Sequence, residues 1–147
     1  MAGHSEIDSA FSWLWKSYYQ PKHKVFFWLL IKDRLSTRNL LTRRNMELES
    51  YNCQLCCLAV EESSDHLFLD CPFARQCWGI IGLDIPDNSS FPSVVSILKD
   101  QLNSEFFMVA VILLSCTIWT ARNKLMFEGL QWSSQDCRIF LNKEAIE

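Results

Sequence analysis

Apolar positions recur along most of this chain at helical spacing, and no segment shows the strict two-residue alternation of a half-buried strand. Ile7 to Tyr19 places Phe11, Trp15 and Tyr18 or Tyr19 at helical intervals, which predicts an aromatic-faced helix ended by Pro21. Exposed, those rings can stack on bases; an aromatic stripe more often belongs to a core. A second helix is expected from Lys22. Its seven consecutive apolar residues, Val25 to Ile31, leave no polar side, so its middle should be buried all round. Leu35-Ser-Thr37 supplies a turn and an N-cap hydroxyl for a third helix over Arg38 to Asn45, with Leu40 and Leu41 inward and Arg38 and Arg43 outward. Met46 to Asn52 reads as a polar connector.

The second half is patterned in the same way. A helix over Pro72 to Ile81 carries Phe73, Cys77 and Trp78 and is closed by Gly82. Leu83 to Phe91, with Pro86, Asn88 and two serines, is the most linker-like segment. A helix then runs from Pro92 to about Asn103, with Val95 and Leu98 inward. Phe106 to Trp119 is the most apolar stretch; at fourteen residues, with Ser115, Cys116 and Thr117 in its second half, it falls short of the roughly twenty a membrane span needs. A central buried helix closed by Glu128-Gly129 is expected instead. Ser133 or Ser134 then caps a final amphipathic helix with Ile139, Phe140 and Ile146. The fold class is thus all-α, divided as 10–82 and a C-terminal helical segment over 92–147 that packs on it.

Between the third and fourth helices the chain reads Cys53-Gln-Leu-Cys56, nine residues, His66, four residues, Cys71. Taken as ligands this is C-x2-C-x9-H-x4-C, a Cys3His set of the kind that holds zinc tetrahedrally. Two residues between paired cysteines let the chain reverse around an ion. Ser63-Ser-Asp65 offers N-cap chemistry for a short helix bearing His66. Cys71 precedes Pro72 and is itself a plausible N-cap, where the positive end of a helix dipole favours thiolate. Cys57 competes with Cys56, but a three-residue spacer is less usual than two. The bland reading is buried free thiols beside a surface histidine.

Seven cysteines is an odd number, and Met1 to Asp8 has neither a basic start nor an apolar run, so a reducing intracellular compartment, nucleus or cytoplasm, is expected rather than a disulfide framework. Cys77, Cys116 and Cys137 receive no role. The net charge of -3 hides a segregation: residues 16–45 carry eight cations against the single acid Asp33, a local +7, while 1–15 carries -2 and 46–147 carries -8. Such a patch marks a nucleic-acid face or merely solvates the ends of two helices.

Glycine-rich phosphate loops and nucleophile elbows are absent from the sequence. With His66 used as a ligand, His4 and His23 leave little for acid–base work, and four protein ligands close a zinc sphere that catalysis would need open. No enzymatic activity, and no small-molecule substrate, is therefore expected.

At this point the ordered blocks Phe27-Trp28-Leu-Leu, Asp33-Arg-Leu-Ser-Thr37, Leu41-Thr-Arg-Arg44, Cys53-Gln-Leu-Cys56, Glu62, His66-Leu-Phe and Cys71-Pro-Phe-Ala-Arg-Gln-Cys-Trp78 together resemble the reverse transcriptase zinc-binding domain. That domain lies toward the C-terminal end of non-LTR (LINE-type) retrotransposon polyproteins, most abundantly in plants. The resemblance covers about residues 10–82 and extends loosely to Ile118-Trp-Thr-Ala-Arg-Asn123 and Phe127-Glu-Gly129. It implies a zinc held by Cys53, Cys56, His66 and Cys71. The family often has proline at Ser36 and glycine at Cys57, and neither departure removes a ligand. A Tyr/Phe-x-Asp-Asp polymerase motif is missing, and neither a polymerase palm nor an endonuclease fits in 147 residues, so a fragment or stand-alone remnant is expected.

The resulting expectation is a non-catalytic module with one structural zinc that contacts RNA or DNA through Lys22, Lys24, Lys32, Arg34, Arg38, Arg43 and Arg44. A polymerase or other protein partner is possible in that setting, and no membrane. The alternative is a structural or protein-interaction module without nucleic-acid binding, a domesticated or degenerate remnant.

Overall fold

Proline has no amide hydrogen to lose at the start of a helix, and Pro21 and Pro72 both open one. In the computed structural model, which describes residues 10–16, 19–87, 89–102 and 104–146, six α-helices follow a short N-terminal turn. They are α1 (Pro21–Ile31), α2 (Arg38–Arg43), α3 (Pro72–Ile80), α4 (Phe91–Leu102), α5 (Glu105–Glu128) and α6 (Ser134–Ile146). A π turn, His66–Asp70, precedes α3. Among the described residues there is no strand, only an isolated antiparallel bridge between Asn52 and Glu61.

Local signals hold where the chemistry is local. Thr37 Oγ1 accepts from the Leu40 amide at the start of α2. Gly82 and Gly129 take left-handed φ values of 75° and 67° past α3 and α5, a conformation glycine adopts without penalty. Ser133 and Asp136 cap α6 reciprocally: the Asp136 amide donates to Ser133 Oγ and the Ser133 amide to Asp136 Oδ2.

α5 is the axis of the core. Met108, Val111, Ile112, Leu114, Ile118 and Ala121 are all at most 1% exposed, and α1, α3, α4, α6 and the π turn pack around them. Phe27, Phe68 and Phe91, from α1, the π turn and α4, meet edge to face at centroid distances of 5.6 and 5.9 Å. Ser115 and Thr117 are buried, yet their hydroxyls donate to the carbonyls of Val111 and Leu113 one turn back, so α5 carries them without an unpaired donor. The helical run outlasts the fourteen residues expected: Phe106–Glu128 is long and apolar enough to cross a membrane by length and composition, and 56% of its apolar window is buried in the protein.

Four expectations need correction. Phe11 to Lys16 forms no α-helix but a 3-10 turn, Ser12–Trp15, in which Phe11 and Leu14 are buried with Tyr19 nearby while Trp15 is 48% exposed; residues 7–9 and 17–18 lie outside the described residues. α1 is not buried all round: Val25 is 52% exposed, and Phe26, Trp28 and Leu29 are half-buried. Arg38 does not point outward; it is 8% exposed and donates through Nη1 to the Ser50 carbonyl. In α6 the inward positions are Cys137 and Leu141, while Ile139 is exposed. The last three errors have the same origin, since a run of apolar or basic residues does not say which side a neighbouring element covers.

The linker-like stretch before α4 is tied down. Ile85 is buried, and Arg75 of α3 donates to the Ile85 carbonyl and pairs with Asp87. Asp65, next to His66, accepts from the Phe91 amide at the start of α4.

Candidate metal centre

The two cysteines of Cys53-Gln-Leu-Cys56 sit in the turn of a miniature hairpin. Its arms are held by Cys53 N–H to the Val60 carbonyl (2.8 Å) and Glu62 N–H to the Tyr51 carbonyl (2.9 Å). Ala59 closes the return with φ 56°, a left-handed conformation that costs a side-chain-bearing residue about 1–2 kcal/mol. Because its methyl is exposed, Ala59→Gly is expected to raise stability by up to about 1 kcal/mol. A rise in Tm of the metal-loaded protein checks this; a fall would mean the methyl group is packed.

The other two candidate ligands, His66 and Cys71, stand at the start of the π turn and just past its end. Ser63 Oγ accepts from the His66 amide and starts it. In an α-helix five steps of about 100° would leave residues 66 and 71 about 140° apart around the axis. The wider turn, closed by Cys71 N–H to the His66 carbonyl at 2.7 Å, carries Cys71 back toward the side of His66. Cys71 is at once the N-cap of α3, with Pro72 in the first helical position.

These elements bring one ligand atom from each of Cys53, Cys56, His66 and Cys71 within 4.8 Å of one another. Cys53 Sγ to Cys71 Sγ is 3.9 Å, and Cys56 Sγ to His66 Nε2 is 3.3 Å. A tetrahedral zinc with Zn–S of about 2.3 Å and Zn–N of about 2.0 Å has edges of about 3.8 and 3.5 Å, so the cluster has the size and donor set that zinc requires. Cys53, His66 and Cys71 are buried, Cys56 is half-buried, and Cys57 is exposed outside the cluster.

Electrostatics prepares the site unevenly. A hydrogen bond from Cys53 draws the Cys71 thiol below its ordinary range, and the Phe73 and Ala74 amides at the start of α3 lower it further. The same pairing with Cys71, with burial, pushes the Cys53 thiol strongly up; burial raises Cys56. Burial lowers His66, keeping the imidazole in the neutral form that binds metal.

A buried ion pair adjoins the hairpin that spacing did not reveal. Glu62 is 1% exposed and Arg122 of α5 has a side chain 3% exposed; Arg122 donates through Nη2 to Glu62 Oε1 (2.7 Å) and through Nε to Oε2 (3.0 Å). Glu62 Oε1 also accepts from the Arg38 amide, and Arg122 reaches the Ser36 carbonyl and lies 4.6 Å over the Trp119 ring. Asp70 lies 3.7 Å from Arg75. The charges of Glu62 and Asp70 are thus partly offset.

The basic residues do not converge. Lys22 pairs with Glu144 of α6, Arg43 with Asp33 at 2.6 Å, and Lys32 lies over the Trp28 ring. Arg38 is buried. Lys24, Arg34 and Arg44 carry no ion pair among the described residues, and the two arginines are exposed.

Residues 1–78 match the family model described as zinc-binding in reverse transcriptase. No match is found among curated proteins or among solved structures.

Proposed function

The chain belongs to the family of zinc-binding domains in reverse transcriptase, and from that premise we propose a non-catalytic module in which one structural zinc orders a nucleic-acid-binding surface. The observation that carries the zinc role is the closure of the cluster. Four protein ligands within 4.8 Å of one another leave no coordination position for a water or substrate, the position a catalytic zinc keeps open. Zinc here would fix the angle between the hairpin and α3, and through Asp65 the start of α4.

For the nucleic-acid contact the support is the charge segregation together with family membership. Lys24, Arg34 and Arg44 are the cations left to meet phosphates, whereas Arg38 and Arg43 serve the fold. That internal use of two arginines is also the observation favouring the second reading, a structural or protein-interaction module. Anisotropy titrations with labelled RNA and DNA, single-stranded and duplex, separate the two. The expected result is binding whose log–log salt dependence is steep, and at least a tenfold weakening in Arg34→Glu/Arg44→Glu. Absence of binding to all four probes at low salt rejects the nucleic-acid reading and leaves the second.

A further inference from the structure

Two buried cysteines outside the metal cluster meet where α3 and α6 pack together. Cys77, on α3, is 1% exposed and Cys137, on α6, is fully buried. Their sulfurs are 3.9 Å apart, and the Cys77 thiol donates to Cys137 Sγ. That hydrogen bond draws the Cys137 thiol below its ordinary range, against the effect of burial, and together with burial pushes Cys77 strongly up. The pair therefore divides into a sulfur readier to ionise and one that keeps its proton. A second metal site does not explain the contact. Among the described residues the metal-sized group is Cys53, Cys56, His66 and Cys71, to which neither Cys77 nor Cys137 belongs. The two sulfurs need to approach by only about 2 Å to reach bonding distance. α6 itself is shallowly seated. Among its described residues only Cys137 and Leu141 are buried, with half-buried Phe140 and the pairing of Glu144 with Lys22 and His23 adding to its hold. The segment 129–133 before it is largely exposed. An element of this kind opens locally for less than the cost of global unfolding, which admits a small oxidant to both thiols.

We infer that Cys77 and Cys137 form a reversible disulfide site, closed by hydrogen peroxide and opened by thiol reductants. In the first step the Cys137 thiolate attacks one peroxide oxygen. The O–O bond breaks, the sulfur becomes a sulfenic acid, and the departing hydroxide takes up the proton that Cys137 gave and leaves as water. Cys77 then attacks that sulfur: the S–S bond forms, the S–O bond breaks, and the hydroxyl leaves as water with the Cys77 proton. Two thiols are oxidised, and one peroxide is reduced to two waters. Two reductant thiols reverse the step by exchange and leave as their own disulfide. The bond joins α6 to the helix that begins at Cys71, and so joins the segment matching the family model to the part beyond it. It links positions 60 apart in sequence, which restricts the unfolded chain and stabilises the fold.

The test treats the full zinc-loaded chain with hydrogen peroxide, alkylates the remaining thiols under denaturing conditions, and maps every cysteine by mass spectrometry. The expected product has lost two hydrogens, links the peptides bearing Cys77 and Cys137, and returns to two thiols with dithiothreitol. Its Tm is expected to rise by about 5–15 °C over the reduced protein. Cys77→Ala and Cys137→Ala, each removing one sulfur that is not a candidate metal ligand, should show neither the link nor the rise. The mapping on the wild-type chain decides the matter even where a variant folds poorly. Recovery of Cys77 and Cys137 as free thiols, or their linkage to other cysteines, overturns the inference and leaves them as small apolar filling of the core. A link that forms only with loss of helical circular dichroism overturns it equally, because the fold that places the two sulfurs together is then gone.

Discussion

Removing zinc, by strong chelator or by Cys71→Ala, is expected to abolish the cooperative melt of this protein rather than loosen one loop. Structural zinc contributes an apparent free energy of about 10–16 kcal/mol in small modules at neutral pH. A whole domain is stable by only about 5–15 kcal/mol. The hairpin from Tyr51 to Glu62 is held by few backbone bonds, and without an ion the Cys53, Cys56 and Cys71 sulfurs crowd with His66 in a partly buried space. Cys71 also caps α3, and Asp65 beside His66 holds the start of α4, so the disturbance reaches three elements of the core. Metal content by mass spectrometry on untagged protein, paired with circular-dichroism melts with and without chelator, reads the effect. A metal-free preparation whose melt is unchanged by chelator would remove the basis for the zinc reading. Acid should act in the same direction. Cys53 and Cys56, whose thiols sit above their ordinary range, take protons back readily, so metal is released as pH falls. His66 adds to this: its folded value is lowered by burial, so the unfolded chain binds a proton more readily and stability declines as pH drops through about 6.5.

Arg122→Met is expected to cost about 3–5 kcal/mol, although Arg122 touches no metal ligand. The loss arises from Glu62, which would remain in the core, 1% exposed, with its charge answered only by the Arg38 amide. The bidentate geometry, 2.7 and 3.0 Å, and the additional bond to the Ser36 carbonyl make the native pair fully satisfied. Glu62→Gln keeps an acceptor for Arg38 while removing the charge. The double variant Glu62→Gln/Arg122→Met should therefore be distinctly more stable than Arg122→Met alone, the sign of a coupled pair in a double-mutant cycle. Additive losses in denaturant melts would show instead that Arg122 acts through packing on Trp119. The pair also defines how the two halves of the chain depend on each other. The family match ends at residue 78, and Arg122 lies beyond it, so the matched segment takes one of its core charges from α5.

Sequence and structure agree most closely where the deciding interactions span a few residues. Thr37 and Cys71 as caps, Pro72 as a helix start, and Gly82 and Gly129 as stops are all positions where backbone geometry restricts the residue type. The spacing C-x2-C-x9-H-x4-C belongs to this class only in part: the two-residue turn presents Cys53 and Cys56 locally, whereas His66 and Cys71 are brought together by a π turn where a short helix is expected. Cys56 rather than Cys57 meets His66, as the usual spacer predicts.

What failed to be legible was facing. α1 is apolar for seven residues, so periodicity carries no information about its exposed side; α5 supplies the cover on one side and leaves Val25 exposed and Trp28 partly so. Arg38 looked like one of a run of surface cations until the connector before the hairpin closed over it with the Ser50 carbonyl. Glu62 and Arg122 stand 60 residues apart, and their partnership exists only because α5 passes behind the hairpin. Local chemistry along the chain thus determined most of the helices, several of their caps and stops, and the four candidate ligands. The tertiary structure alone decided which charges are buried, which indoles meet solvent and how the second half braces the first, because burial is set by the element that arrives opposite and no residue encodes its own neighbour.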